Sequence, residues 1–118
     1  MQDVVADSGV QTGLCSLFLR HTSASLVIQE NADPAVKTDV LAKLDQMIPK
    51  GEAMYTHAEG NSDAHLKTML VGTSANILID QRRLVLGQWQ GVYLCEFDGP
   101  RERDLLVKIV KLDPTEID

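Results

Sequence analysis

Leu14-Cys15-Ser16-Leu17-Phe18-Leu19-Arg20-His21-Thr22-Ser23-Ala24-Ser25-Leu26-Val27-Ile28-Gln29 sets two short apolar runs on either side of a polar break. The first run, 14–19, is bounded by Gly13 and Arg20. It is too short for an ordinary helix, and an apolar run of this length reads as a strand buried on both faces. The second run, 25–29, is rich in β-branched residues and reads as another strand. His21 then falls at a strand end or in the link between strands, where a rigid sheet fixes a side chain for function.

Downstream, Asp33-Pro34 marks a helix start, with Asp33 as cap and Pro34 at the first helical position. Val36, Val40, Leu41, Leu44, Met47 and Ile48 follow at spacings of three and four, which predicts a surface helix over 34–48 packed on a sheet. Pro49 and Gly51 stop it. Residues 49–62 read as a long loop carrying Tyr55, His57, Glu59 and Asn61. Ser62 or Asp63 then caps a shorter helix that Gly72 ends, with His65 in its first turn. Residues 75–79 and 83–86 read as a hairpin, 90–97 and 105–112 as further strands, and Asp98-Gly99-Pro100 as a turn. Upstream, residues 1–12 are polar around Gly9 and read as a loop or a helix end. The order predicts one domain over 1–118 of the α+β class, with two helices and a largely antiparallel, meandering sheet folded sandwich-like into two layers.

An apolar fraction of 44% supports a core without staples, and aromatics at 4% make it a core of Val, Leu, Ile and Ala. The formal charge of −6 and the lack of a basic stripe argue against nucleic-acid partners. No apolar run approaches a membrane span, and Met1-Gln2-Asp3 lacks the basic start of a signal peptide, so a cytoplasmic protein is expected. Cys15 and Cys95 read as reduced, buried small hydrophobes.

The chain has three histidines, His21, His57 and His65, each among small, polar or acidic residues. Three imidazoles can hold a divalent metal and leave a position for water or substrate. Spacings of 36 and 8 residues include no helical pair, so on residues alone three unrelated, hydrogen-bonded histidines are the simpler reading. Glu59 and Asp63 could orient the rings, though capping explains Asp63 as well. Glu30 and Asn31 are candidates for ligand or magnesium contact. Glu96 alternates with apolar residues and faces either a pocket or water. Arg101 and Arg103, joined by Lys67, could clamp a phosphate. Trp89, between Gly87 and Gly91, reads as core, with a pocket cover or subunit contact as the alternative. No nucleophile elbow, phosphate loop or dinucleotide fingerprint is present.

His21-Thr22-Ser23-Ala24-Ser25-Leu26, Glu30-Asn31-Ala32-Asp33-Pro34, His57 with Glu59-Gly60, Ala64-His65-Leu66-Lys67, and Leu86-Gly87-Gln88-Trp89-Gln90-Gly91 followed by Glu96 resemble the YjbQ-like, or secondary thiamine-phosphate synthase, family. The resemblance runs from about Gly13 to the end, with Gly99 and Arg101 matching the family's glycine and arginine. It implies a further N-terminal strand that this chain is expected to lack, and a homotrimer. It also implies a metal, zinc or else magnesium, at His21, His57 and His65. By the same resemblance His21, Glu30, Asp63 and Glu96 become catalytic candidates, and Asn31, Lys67 and Arg101 candidates for substrate contact. The implied activity is a transferase joining a pyrimidine diphosphate to a thiazole phosphate. A metal-dependent hydrolase of a small phosphorylated substrate and a non-enzymatic, ligand-binding trimer are the alternatives.

Overall fold

The structure is a computed structural model, and it describes residues 1–113. The elements run α1 (Gln2–Ser8), β1 (Gly13–Leu19), β2 (Ala24–Glu30), α2 (Pro34–Met47), α3 (Ser62–Val71), β3 (Ser74–Asp80), β4 (Arg83–Leu84), β5 (Gln90–Glu96) and β6 (Leu105–Lys111). Two antiparallel sheets form, one in the order β4-β3-β1-β6, the other pairing β2 with β5. Leu26 of β2 joins Val5, Cys15, Leu17, Ile77 and Ile79 in one buried cluster, flanked by Ile28 and Val92, so the core lies between the layers. The α+β class and the two-layer antiparallel arrangement follow the expectation.

Several expectations need correction. Residues 2–8 form a third helix, α1, whose Val5 is fully buried in the core. Its role is visible at the β3–β4 hairpin, where Gln81 and Arg82 both have positive φ, 50° and 62°. Tight hairpins need this twist, but side chains other than Gly, Asn or Asp adopt it at a cost. Here Arg82 is pinned: its guanidinium donates to Ala6 O at 3.0 Å, its N–H to Gln11 O at 3.1 Å, and its carbonyl accepts from Gln2 Nε2 at 3.2 Å.

β1 is buried on one face only. Cys15, Leu17 and Leu19 point inward, whereas Phe18 is 46% exposed. Leu78, Leu106 and Val110 share that outer face and are exposed too. A continuous apolar run reports what must be covered, and among the described residues Phe18, Leu78, Leu106 and Val110 stay exposed on this side. The helix expected over 34–48 ends at Met47 and carries the expected start: Asp33 accepts from Ala35 N at 2.9 Å, with Pro34 next. It is not packed down, however. No residue of α2 is buried, and a groove separates its apolar stripe from the β2–β5 sheet. Trp89 is 56% exposed and is no core residue. Among the described residues no helix is long and apolar enough to cross a membrane.

Candidate functional site

The three motif-bearing stretches meet at one end of the sandwich. Pairing of Ala24 with Glu96 brings the start of β2 beside the end of β5. Phe97 N donates to Ser23 O at 3.3 Å, and the Arg103 guanidinium donates to Ser23 O and Oγ at 3.2 and 3.1 Å. From the third stretch, Asn61 Nδ2 donates to Asp98 at 2.7 Å, and His65 Nδ1 lies 2.8 Å from Thr22 O. The histidine link, the start of α3 and the 96–104 segment are thus stitched by hydrogen bonds.

Those bonds fix the histidine tautomers. Thr22 O can only accept, so His65 carries its proton on Nδ1, and the neutral ring leaves Nε2 as a free lone pair. Asp104 N donates to His21 Nε2 at 2.8 Å, so the neutral His21 ring carries its proton on Nδ1. One imidazole therefore offers a lone pair and the other a donor. His57 stands edge-on to His65, with ring centroids 5.4 Å apart. The three rings do not form one ligand set. Among the described residues no three His, Cys, Asp or Glu are placed to hold a metal ion, and the Nε2 that His21 would offer is taken by Asp104 N–H. Nor do Glu59 and Asp63 orient the rings; the Thr22 carbonyl does that for His65.

Around the rings the cations are already paired. Arg103, 8% exposed at its side chain, forks onto Glu96, with Nε to Oε1 at 2.7 Å and Nη2 to Oε2. That fork, with help from Asp98 N–H, holds the Glu96 carboxyl down to about 2 and raises Arg103. Arg103 is therefore not a free phosphate clamp. Gly99 makes room for the arrangement, since a Cβ there would stand 2.5 Å from Glu96 Cγ. The Asn61 amide, followed by Arg101 at 2.9 Å, holds Asp98 below the usual carboxylate range. Arg101, half exposed, also faces Glu59 at 3.8 Å. Lys67, 7% exposed, is gripped by Asp45 at 2.5 Å, with Asp63 at 3.8 Å and the Phe97 ring 5.9 Å away. Three cations face five carboxylates, so the cluster is net negative. Asn61, 6% exposed, spends its amide N–H on carboxylates and leaves Oδ1 buried without a donor among the described residues.

His21, His57, His65, Asp63, Lys67, Glu96 and Arg101 are thereby brought together, while Glu30 and Asn31 are not. They lie at the opposite end of the β2–β5 pair, six residues from Ala24, or roughly 20 Å along a strand. There Tyr93 Oη donates to Glu30 O at 2.9 Å and contacts Asn31 Oδ1 at 3.0 Å. Asn31 packs against Gly91, where a Cβ would meet its side chain at 2.9 Å. Sequence reasoning missed Arg103 as an organiser of the site and Asp98 as its neighbour. The charge-dense stretch from Glu96 to Asp104 was the available signal.

The family model described as "UPF0047 protein YjbQ-like" matches residues 1–112. The chain belongs to the YjbQ-like family. Among YjbQ-like relatives, the UPF0047 protein MJ1081 of Methanocaldococcus jannaschii is 47% identical over 106 residues, covering 90% of this chain and 76% of that protein. YugU of Bacillus subtilis is 42% identical over 104 residues, covering 88% and 79%. The crystal structure of a YjbQ/UPF0047 family protein from Clostridium acetobutylicum superposes with a TM-score of 0.88 at 49% identity, covering 92% of this chain and 84% of that one.

Proposed function

We propose that this chain is a small-molecule transferase with thiamine-phosphate-synthase-like activity, joining a pyrimidine diphosphate to a thiazole phosphate, as a main or a side reaction. The observation that carries the reading is the pair of backbone-fixed imidazoles, both in the Nδ1–H tautomer but held through different ring nitrogens. The thiazole nitrogen attacks through its lone pair and has no proton to lose, so His21 Nδ1–H would donate to the departing diphosphate, and His65 Nε2 would accept a hydrogen bond from the substrate and orient it. Bond making at the thiazole nitrogen and departure of diphosphate leave the leaving group's charge to be met. Arg101 is the exposed cation for it, and a diphosphate brings its own magnesium. The chain would work as a homotrimer, which would cover the outer face of Phe18, Leu78, Leu106 and Val110. The free thiols of Cys15 and Cys95 suit a cytoplasmic setting.

The test is product formation from the two phosphates with magnesium, followed by chromatography. Wild type is expected to make the coupled phosphate, and His21→Ala to lose roughly 100-fold or more. No product with wild type would refute the reading, and release of phosphate from a generic phosphoester would move it to a hydrolase.

A second reading, a divalent-metal-binding module, is favoured by one observation. His65 donates Nδ1–H to a carbonyl, as metal-bound histidines do, with His57 beside it. The three-histidine set does not fit as folded, so no step is routed through a metal. Zinc titration of wild type and His57→Ala by calorimetry decides it: heat only in wild type supports the reading, and none in either ends it.

A further inference from the structure

No residue of α2 is buried, although Val40 and Leu41 line a groove of about 180 Å³ between this helix and the β2–β5 sheet. The sheet side of the groove carries Val27, Tyr93 and Cys95. α2 is fastened at its two ends. Before its start, Asn31 N–H donates to Trp89 O at 2.7 Å and Tyr93 Oη donates to Glu30 O at 2.9 Å, so the chain is bound to the sheet as far as Asn31. Pro34 fixes the first helical residue, which leaves Ala32 and Asp33 as the joint. Near its end, Asp45 Oδ1 accepts from Lys67 Nζ of α3 at 2.5 Å, the one side-chain bond between α2 and another element among the described residues. We propose that α2 is a hinged lid over the groove, turning at Ala32–Asp33 and latched by Asp45 on Lys67. The lid does not depend on the transferase reading.

Packing and charge both suit a lid. Val40 and Leu41 are still partly exposed above the groove, so the helix has apolar surface left to bury by moving toward the sheet. Residues 49–60, which follow α2, include no buried residue and so do not hold its far end down. The latch is unequal: the Lys67 side chain is 7% exposed and keeps Asp63 at 3.8 Å, whereas Asp45 is 73% exposed. When the pair parts, Asp45 passes into water and Lys67 retains Asp63, so release leaves no buried charge alone. Lys67 stands two residues beyond His65 on α3, which ties the latch to the histidine cluster. A helix with no buried residue and one such bond opens as a unit, at a lower free energy than global unfolding. Opening bares the sheet side of the groove, Cys95 with it. Cys15, by contrast, is fully buried in the core on β1 and is reached only when the whole domain unfolds.

The two thiols report the motion in the full chain. Fluorescein maleimide is bulkier than the groove, and mass spectrometry of the labelled peptides follows each cysteine separately. Cys95 of the wild type is expected to react roughly tenfold or more faster than Cys15. Asp45→Ala, at an exposed helical position, is expected to widen that ratio by about a further tenfold, because a hydrogen bond between charged groups is lost. Asp45→Asn, which keeps the shape and removes the charge, is expected to move the ratio the same way should the alanine variant misfold. Hydrogen exchange supplies a second measurement. Amides of α2 beyond its first turn are expected to share one rate, roughly tenfold or more faster than those of β2, and to quicken in both variants. Equal reaction of Cys95 and Cys15 overturns the inference and would mean that α2 is clamped shut, as it would be beneath a second copy of the chain. A ratio that neither variant moves, or α2 amides as slow as those of β2, overturns it as well.

Discussion

Replacing Arg103 by Met removes a nearly buried guanidinium while keeping most of its aliphatic volume. Four hydrogen bonds go, two to Glu96 and two to Ser23. Breaking a fully buried pair costs about 3–5 kcal/mol. Glu96 is 30% exposed at its side chain, so water recovers part of that, and about 2–3 kcal/mol is expected, roughly 8–12 °C in Tm for a domain of this size. The loss must also depend on pH. Glu96 has a folded value of about 2 against an ordinary 4.5. A depressed carboxyl stabilises the fold above its unfolded value and loses that contribution as pH falls through the folded one. The gap between wild type and Arg103→Met should therefore be full at pH 7 and shrink between about pH 4.5 and 2. Urea unfolding at pH 7, 4 and 3, at one protein concentration, measures both. Glu96→Gln and the double variant complete the cycle, with a coupling of about 1–2 kcal/mol. A loss under about 0.5 kcal/mol, or a gap that does not change with pH, would refute the reasoning.

Three further outcomes are expected. Nitrogen NMR of labelled imidazoles at pH 8 should show His65 protonated at Nδ1 and His21 also at Nδ1, with His65 Nε2 and His21 Nε2 both unprotonated; a proton on either Nε2 contradicts the bonding to Thr22 and Asp104. Gln81→Asn, which tolerates the left-handed turn better, should raise stability by about 0.5 kcal/mol, read as a higher urea midpoint at unchanged slope. Asp33→Ala should cost about 1 kcal/mol, because Ala35 N–H loses its cap, and hydrogen exchange should quicken in the first turn of α2.

Local signals carried much of the fold. Asp33-Pro34 started α2 because capping is short-range chemistry, and the β-branched run at 25–29 became β2 for the same reason. Burial was less legible. The run at 14–19 and the stripe on α2 are apolar enough for a core, yet Phe18, Val40, Leu41 and Met47 stay exposed in the single chain. Periodicity says which face wants cover and is silent on what supplies it. The gathering of the histidines with Asp63 was hinted at by their shared surroundings, whereas Lys67, Glu96 and Arg101 were joined to them by the family resemblance alone. The directions of the rings were not legible, because these depend on backbone groups, Thr22 O and Asp104 N, that any residue type would supply. Arg103 reads as a phosphate clamp and not as the partner of Glu96 for a related reason: an arginine after a turn looks free until its carboxylate is located in space.

Charge then decides which arginine can meet an anion. Arg101 is bound to Asp98 and faces Glu59 from 3.8 Å, with half its side chain in water. An exposed pair of that kind is worth about 0–1 kcal/mol, so a phosphate oxygen can replace Glu59 at little cost. Arg103 would have to leave a two-pronged bond to Glu96 and two bonds to Ser23, in a place from which most water is excluded. The same residue type seven positions from Glu96 therefore serves the scaffold, while the one five positions away is the one that the proposed function assigns to the anion. Arg101→Ala should accordingly raise KM for the diphosphate and leave the unfolding midpoint nearly untouched, the reverse of Arg103→Met. If both variants instead lost stability equally with no change in KM, the carboxylates would own both cations and the anion would have to be held elsewhere.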